Sequence, residues 1–263
     1  MKVLIKLGGT LLDSAESRGR IAEQIAAAAG RAGLEIVVVH GGGKQMTRYL
    51  AERGIESRFA NGLRITTPET LDAVLKVFAG SVNHGLVASL NRAGALAVGL
   101  SGIDALLAEA EPMAPELGAV GRVCASNAAL LQLLTANRYV PVVACVAGDR
   151  QGRIYNVNAD QMAVACAGSF GAAQLLFLTD VPGVMDAARQ VLPVLTDVDG
   201  GRLIASGAAT GGMQAKLEAA AAALRAGVEE VRIAPGAEDG VIARLLAGED
   251  LGTRMVLSEV TAR

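Results

Sequence analysis

The sequence predicts an α/β fold, a mostly parallel sheet buried under helices with its ligands at the strand ends, and three observations carry that expectation. First, short runs rich in Val, Leu and Ile recur without polar alternation: Val3–Leu7, Ile36–Val39, Ala97–Leu100, Val140–Val146, Leu175–Leu178 and Val231–Ala234. Strands buried on both faces read this way. Second, segments of helical period separate these runs through short loops, the β-α-β-α order of right-handed parallel crossovers. Third, Gly8-Gly9 and Gly41-Gly42-Gly43 follow two of the strands and lead into helices. Open α/β sheets bind ligands outside the carboxyl ends of their strands.

At 263 residues the chain is long enough for one large domain or two closely joined lobes. Hydrophobic residues make up 52% but aromatics only 3%, so aliphatic side chains and alanine must fill the core. A net charge of −2 gives no electrostatic footprint for nucleic acid and no basic helix for a membrane surface. Cys124, Cys145 and Cys166 form no CxxC pair and no metal cluster with His40 and His84, so they read as buried, reduced thiols. No run reaches ~18 consecutive apolar residues, and the start lacks the features of a signal peptide. The expectation is a soluble cytoplasmic protein with no membrane and no nucleic-acid partner.

In chain order, Asp13 with Glu16 suggests a capping box for a helix carrying Ile21, Ile25 and Ala28 on one face and closing at Gly33. A second helix spans about Lys44 to Arg53. Asn61-Gly62 marks a hairpin within 58–67. Pro68 opens a long helical stretch, broken at Gly80 and Gly85, to about Arg92. The segment 103–124 has two prolines and no clean period, so it reads as a loop or β-excursion. Helices are expected over 127–138, 159–169 and 239–247, with a long one opening at Gly211-Gly212 and carrying Lys216. A polar linking segment precedes it, and 252–256 forms the last strand. A soft lobe boundary falls near Gly171, giving lobes 1–171 and 172–263.

Lys6 is out of place in its strand, because burying an unpaired ammonium is costly. It either snorkels from an edge strand or meets an anion beside glycines that let a backbone approach closely. Several chemistries are excluded. Gly41-Gly42-Gly43-Lys44 lacks the first glycine and the Ser/Thr of a Walker A loop, and no GxGxxG follows a strand. GxSxG and HExxH are absent too. The residues that stay are glycine turns, two lysines and Asp160. Helix N-termini and lysines favour phosphate oxygens, and phosphoryl transfer asks mainly for positioning and charge neutralisation. A carboxylate acceptor of pKa ~4.3 is already ionised and needs no general base.

Six segments in order then resemble the amino acid kinase family: Lys6-Leu7-Gly8-Gly9, His40-Gly41-Gly42-Gly43, Asn61-Gly62-Leu63-Arg64-Ile65-Thr66, Asn156-Val157-Asn158-Ala159-Asp160, Thr179-Asp180-Val181-Pro182-Gly183, and Gly211-Gly212-Met213 with Lys216. The resemblance is nearest to the branch that phosphorylates N-acetyl-L-glutamate, and it implies a three-layer αβα sandwich of carbamate kinase-like fold. It further implies that Lys6 and Lys216 flank the transferred phosphoryl group while Asp160 holds both ammoniums. Gly8, Gly9, Gly42 and Gly43 are expected to offer backbone N–H groups to phosphate and acceptor. Arg64 and Asn156 are expected to grip the α-carboxylate. Thr179, Asp180, Val181, Gly183, Val184, Met185 and Thr210 are expected to bind ATP, with Mg2+ carried on the nucleotide and no metal site in the protein.

The acyl acceptor and a homodimer contact would belong to the first lobe, ATP to the second. Insensitivity to arginine is also expected, since inhibited members carry an extra N-terminal helix. Rival readings are a sister kinase for carrier-linked aminoadipate or glutamate, and a silent nucleotide-binding regulator on the same fold. Individual residues have blander roles available. Arg64 could be a solvated hairpin charge, and Asp160 could cap its helix, a role compatible with the functional one. Lys216 near a positive helix end is unfavourable without an anion. His40 is expected to hydrogen-bond locally without proton transfer, and Lys44 to lie at the surface. Ile103 and Ala105 stand where the family more usually has lysine and glycine.

Overall fold

A computed structural model describes residues 1–60 and 62–258. Strand β1 (Lys2–Leu7) runs through a 3-10 turn (Gly9–Leu12) into α1 (Ala15–Ala29), and β2 (Glu35–His40) into α2 (Gly43–Ala51). The antiparallel pair β3 (Phe59–Ala60) and β4 (Leu63–Arg64) precedes α3 (Pro68–Val74), a π-helical segment (Leu75–Val82) and α4 (Asn83–Arg92). Then come β5 (Ala97–Ser101), β6 (Ala108–Pro112), β7 (Val120–Ser126), α5 (Ala129–Ala136), β8 (Val140–Ala144), β9 (Val146–Gly148), β10 (Ile154–Val157) and α6 (Ala159–Phe170). The remainder is β11 (Gln174–Thr179), β12 (Val194–Thr196), α7 (Asp197–Ala205), α8 (Gly211–Arg225), β13 (Glu230–Pro235), α9 (Val241–Leu246) and β14 (Thr253–Val256).

Eight strands form one sheet in the order β12-β14-β13-β11-β1-β2-β8-β5, parallel throughout except where β14 meets β13. The apolar runs lie in it as expected, with Val3, Leu4, Ile5 and Leu7 wholly buried between helix layers. Helices α1, α4 and α9 pack together on one face, and α5, α6, α8 and α7 on the other. β1 lies between β2 and β11, so the chain leaves it first to one side and later to the other. That reversal opens a crevice at the carboxyl ends of β1 and β11, where such sheets hold ligands.

The structure corrects several local expectations. Ser14, not Asp13, caps α1, exchanging hydrogen bonds with Ser17, and the helix ends at Ala29 rather than Gly33. Asp13 instead closes the preceding 3-10 turn. The helix from Pro68 to Arg92 is unbroken at Gly80 and Gly85, because a π-helical segment absorbs the irregularity. This helix is long and apolar enough by composition to cross a bilayer, but 44% of its most apolar window is buried in the protein, and it packs on α1, β5 and β8. The excursion at 103–124 supplies β6 and part of β7, which close a small barrel with β9 and β10. Ala105 there adopts φ 52, a left-handed conformation that glycine takes without a Cβ penalty. The linking segment after Gly183 contains β12 and α7, whose capping box of Thr196 and Asp199 went unread. Cys145 and Cys166 are buried as expected, whereas Cys124 is exposed. Asn61, on which the hairpin dipeptide rests, lies outside the described residues, although β3 and β4 pair as anticipated.

One glycine ties the barrel to the β3–β4 segment. Gly118 has φ +66 and forms an isolated β-bridge with Thr66, and a Cβ there would lie 2.3 Å from the Thr66 carbonyl oxygen. Backbone blocks the methyl, so no flexible side chain can yield. Gly118→Ala is therefore expected to cost about 2 kcal/mol or more. Gly54→Ala, of φ +68 but facing open space, is expected to cost only the conformational term of about 1 kcal/mol. Urea unfolding of both variants beside the wild type checks the difference, and equal losses would refute the steric argument.

Candidate active site

The site is assembled from elements that end at the crevice. Lys6 is the penultimate residue of β1, and the strand's helix-covered faces leave it only 8% exposed. Its charge is met by Asp160, whose Oδ1 lies 2.6 Å from the Lys6 Nζ. The other carboxylate oxygen, Oδ2, lies 3.4 Å from the Nζ of Lys216. One buried carboxylate thus bridges two ammonium groups carried by a strand and a different helix. Snorkelling from an edge strand is ruled out, since β1 is central and its lysine is paired.

Asp160 holds its place because α6 begins there. Asn158, not Asp160, is the N-cap: its Oδ1 accepts from the N–H of Asp160 at 2.8 Å and of Gln161 at 3.2 Å. Asp160 sits in the first turn, where the helix dipole favours an anion. Burial pushes its carboxyl pKa up, but Lys6 and then Lys216 outweigh that and hold it below the ordinary carboxylate value. The carboxylate therefore stays ionised throughout the neutral range. Lys216 belongs to the second turn of α8, and Asp160 removes the conflict expected for a cation near that helix start.

A cleft of about 630 Å³ opens over this cluster, and of the expected site residues Lys6, Gly8, Gly43, Arg64, Thr179, Asp180 and Lys216 line it. Thr10, Lys44, Thr47, Arg48, Ala51 and Phe59 complete the lining. Lys44 is surface-exposed as expected yet faces the cleft, 3.5 Å from Asp13. Among these described lining residues Asp180 is the sole carboxylate. Among the described residues no three His, Cys, Asp or Glu side chains gather to hold a metal.

The glycine turns contribute unequally. The Gly8 N–H donates to the Leu178 carbonyl at 2.8 Å, which ties this turn to the end of β11. Gly9 opens the next turn. Gly42 precedes α2 and is buried, with Phe78 of the π-helical segment so close that a Cβ would lie 2.9 Å from the ring. Gly43 is open. Below them, His40 is fully buried: its Nδ1 bonds the Gly41 carbonyl at 2.8 Å, and its Nε2 accepts from Asn83 Nδ2 at 3.0 Å. Asn83 also donates to the Val142 carbonyl. Desolvation lowers the His40 pKa from 6.5 to about 4, so the ring is neutral and has no proton to lend near neutral pH.

Arg64 is buried rather than a solvated hairpin charge. Its Nη2 donates to the Gly43 carbonyl at 3.2 Å and to Thr47 Oγ1 at 2.8 Å, Nη1 donates to Ser57, and the guanidinium lies over the Phe59 ring. Asn156 does not line the cleft, but its Nδ2 donates to Thr66 Oγ1 at 3.0 Å, while that hydroxyl donates to the Arg64 carbonyl. The two expected carboxylate-binding residues are thereby tied through one threonine. Val181, Gly183, Val184, Met185 and Thr210 lie outside the cleft lining. Val184 is anchored by Thr253, and Gly183 needs its φ of 155 and its lack of a side chain beside Thr253 and Val191. Thr47, Ser57 and Phe59 went unnoticed in the sequence. Their signal, a helical residue one turn after Gly43, a residue just before the hairpin and one in its first strand, becomes legible only once Arg64 is placed.

Comparisons with known proteins bear on the family and the fold. A family model described as "Amino acid kinase family" matches residues 1–235. An acetylglutamate kinase from Solibacter usitatus is 72% identical over 256 residues, covering 97% of this chain and 99% of its own. One from Koribacter versatilis is 44% identical over 237 residues, 89% and 90% of the two chains. Among solved structures, an N-acetylglutamate synthase from Neisseria gonorrhoeae complexed with coenzyme A and N-acetyl-glutamate superposes with TM-score 0.87 at 23% identity. The match covers 98% of this chain and 59% of that one, so the chain spans about three-fifths of it and the likeness speaks for the fold.

The buried His40 has a thermodynamic signature. Its pKa is lower folded than unfolded, so between pH 6.5 and about 4 the unfolded chain binds the extra proton and stability falls as pH falls. A shift of that size corresponds to roughly 3 kcal/mol across the window. Urea unfolding from pH 7.5 to 4.5 is expected to show this slope in the wild type and a flatter one in His40→Gln. Parallel slopes would overturn the assignment.

Proposed function

This chain belongs to the amino acid kinase family, and we infer that it transfers the γ-phosphoryl group of ATP to the side-chain carboxylate of N-acetyl-L-glutamate. The products are N-acetyl-L-glutamyl 5-phosphate and ADP, a step of arginine biosynthesis. The observation that carries the reading is the Lys6–Asp160–Lys216 cluster facing an anion-sized cleft that reaches Arg64.

In this reading one oxygen of the substrate carboxylate attacks the γ-phosphorus as the bond to the β–γ bridging oxygen breaks, and ADP leaves with those electrons. Lys6 and Lys216 contact the equatorial oxygens, where charge is spread in the transition state. Asp160 touches no substrate; it keeps both ammoniums aimed at one point and limits their mutual repulsion. No base is required, which agrees with a neutral, buried His40. The open turn at Gly43, with Gly42 behind it, receives the reacting carboxylate and the turn at Gly8-Gly9 the phosphate. Arg64 and Asn156 take the α-carboxylate end.

ATP is assigned to the carboxyl end of β11 and beyond, through Thr179, Asp180, Val181, Gly183, Val184, Met185 and Thr210. In support, Thr179 and Asp180 border the cleft, and the Thr210 hydroxyl is not used to cap α8. A lone cleft carboxylate suits Mg2+ that arrives bound to nucleotide phosphates. We assign the acceptor to residues 1–171 and the nucleotide to 172–263, in a cytoplasmic homodimer.

Two variants test the cluster. Lys6→Met leaves Asp160 paired with Lys216, so it is expected to fold and bind both substrates. Lys216→Ala likewise leaves the Lys6 pair. Each should lower kcat by about 100-fold or more through loss of one transition-state charge donor. The assay is ADP release with N-acetyl-L-glutamate, L-glutamate and L-aspartate as acceptors. Turnover by either variant equal to wild type, or no preference for the acetylated substrate, would refute the reading.

A further inference from the structure

The Arg64 guanidinium is not free to receive a carboxylate as it stands. A guanidinium offers two two-pronged edges, Nε with Nη2 and Nη1 with Nη2, and each uses an Nη2 hydrogen. Here Nη2 already donates to two acceptors, the Gly43 carbonyl at 3.2 Å and Thr47 Oγ1 at 2.8 Å. Ser57 anchors Nη1, and the Phe59 ring covers one face at 4.6 Å from the guanidinium carbon. Arg64 itself is 9% exposed, so it cannot swing out to meet a ligand elsewhere. A carboxylate that takes either edge in the guanidinium plane therefore competes with these Nη2 partners.

The two partners differ in what they can give up. The Gly43 carbonyl also accepts from Thr47 Oγ1 at 2.9 Å and is fixed in the first turn of α2. Thr47 is exposed, lines the cleft, and its hydroxyl turns about one bond. We propose that Thr47 is a positioning and selectivity residue for the free α-carboxylate of the acceptor, a proposal that rests on Arg64 receiving that carboxylate. Thr47 occupies the guanidinium edge and keeps Arg64 in register. When the α-carboxylate arrives, it takes the Nη2 hydrogen from Thr47. The hydroxyl, no longer an acceptor, turns its own proton from the Gly43 carbonyl to the second carboxylate oxygen. The ligand is then held by an arginine and a threonine one turn beyond the glycine cradle, so recognition of its far end is coupled to the loop that receives its reacting end. A bond from the hydroxyl to the carbonyl four residues back is common for threonine in helices. The additional bond from Arg64 is what gives this one a role.

The test is steady-state kinetics of Thr47→Val and Thr47→Ser with N-acetyl-L-glutamate and with 4-acetamidobutanoate, which lacks only the α-carboxylate. Thr47→Val keeps shape and β-branching at an exposed site, so folding is not at stake. It is expected to raise KM for N-acetyl-L-glutamate about 10-fold, the worth of one hydrogen bond to a charged group. KM for ATP should hold, and kcat should stay within about 3-fold. The kcat/KM preference over 4-acetamidobutanoate should fall by the same 10-fold, and Thr47→Ser should restore it. An unchanged preference in Thr47→Val overturns the proposal, as does a fall in kcat with a rise in both KM values, the mark of a merely structural role. A wild type that uses both compounds equally well overturns the Arg64 reading beneath it. That result is distinguishable, because it needs no variant.

Discussion

The cleft depends on one buried carboxylate that keeps two like charges together. Lys6 and Lys216 come from β1 and α8, and either ammonium taken from water without a partner would be strongly unfavourable. Asp160 meets both, and its own desolvation is offset by the two cations it holds. Removing the carboxylate would leave two buried ammoniums and nothing between them, whereas removing one lysine leaves an intact pair. The cluster is asymmetric in the same sense as the proposed chemistry, in which cations touch substrate and the anion touches only cations.

This requirement reaches back into the fold. Asp160 can stand under the strand ends only if α6 starts there, which Asn158 ensures by capping it. Lys216 can reach the same carboxylate because α6 and α8 pack side by side on one face of the sheet, with β1 beneath α6. On the acceptor side, Gly42 comes close to Phe78, and Asn83 reaches His40 from the first turn of α4, just past the π-helical segment. π-helical turns occur often at functional sites, and this one lies directly behind the glycine cradle. The loop is shaped by packing and by a neutral histidine, with no charge needed below it.

Much of the fold was legible because both-face burial writes itself as unbroken apolar runs, and every such run from Val3 to Ala234 became a strand of the main sheet or, at Val140–Val146, two short strands. Lys6 in β1 was legible for the opposite reason, as a charge that violates its pattern. What stayed hidden depends on partners distant in sequence. The barrel of β6, β7, β9 and β10 closes through long-range pairings with weak local alternation. The cap of α1 shifted by one residue because Ser14 and Asp13 are equally good signals. Gly80 falls inside the π-helical segment and Gly85 inside α4 without ending the helix, so the sequence suggested breaks where the structure has none. Arg64 announced itself, but Thr47 and Phe59 could not, since neither is unusual until the guanidinium lies beside it.

The electrostatic balance of the cleft explains why so few titratable groups are needed. Lys6, Lys44, Arg48, Arg64 and Lys216 line it against Asp180 alone. Cation-lined walls of low dielectric concentrate anions and steer them inward, and both proposed substrates are anionic. A site that works by charge placement has no use for a group that changes protonation near neutral pH. His40 has been driven out of that role by burial, and Cys145, beneath the cluster, has its thiol pushed up to about 12 by the same desolvation. Charged side chains line the cleft, while His40 and Cys145 are sealed beneath it. In the proposed reaction selectivity then comes from where the fixed charges sit, in the clamp around Arg64 rather than in any acid or base.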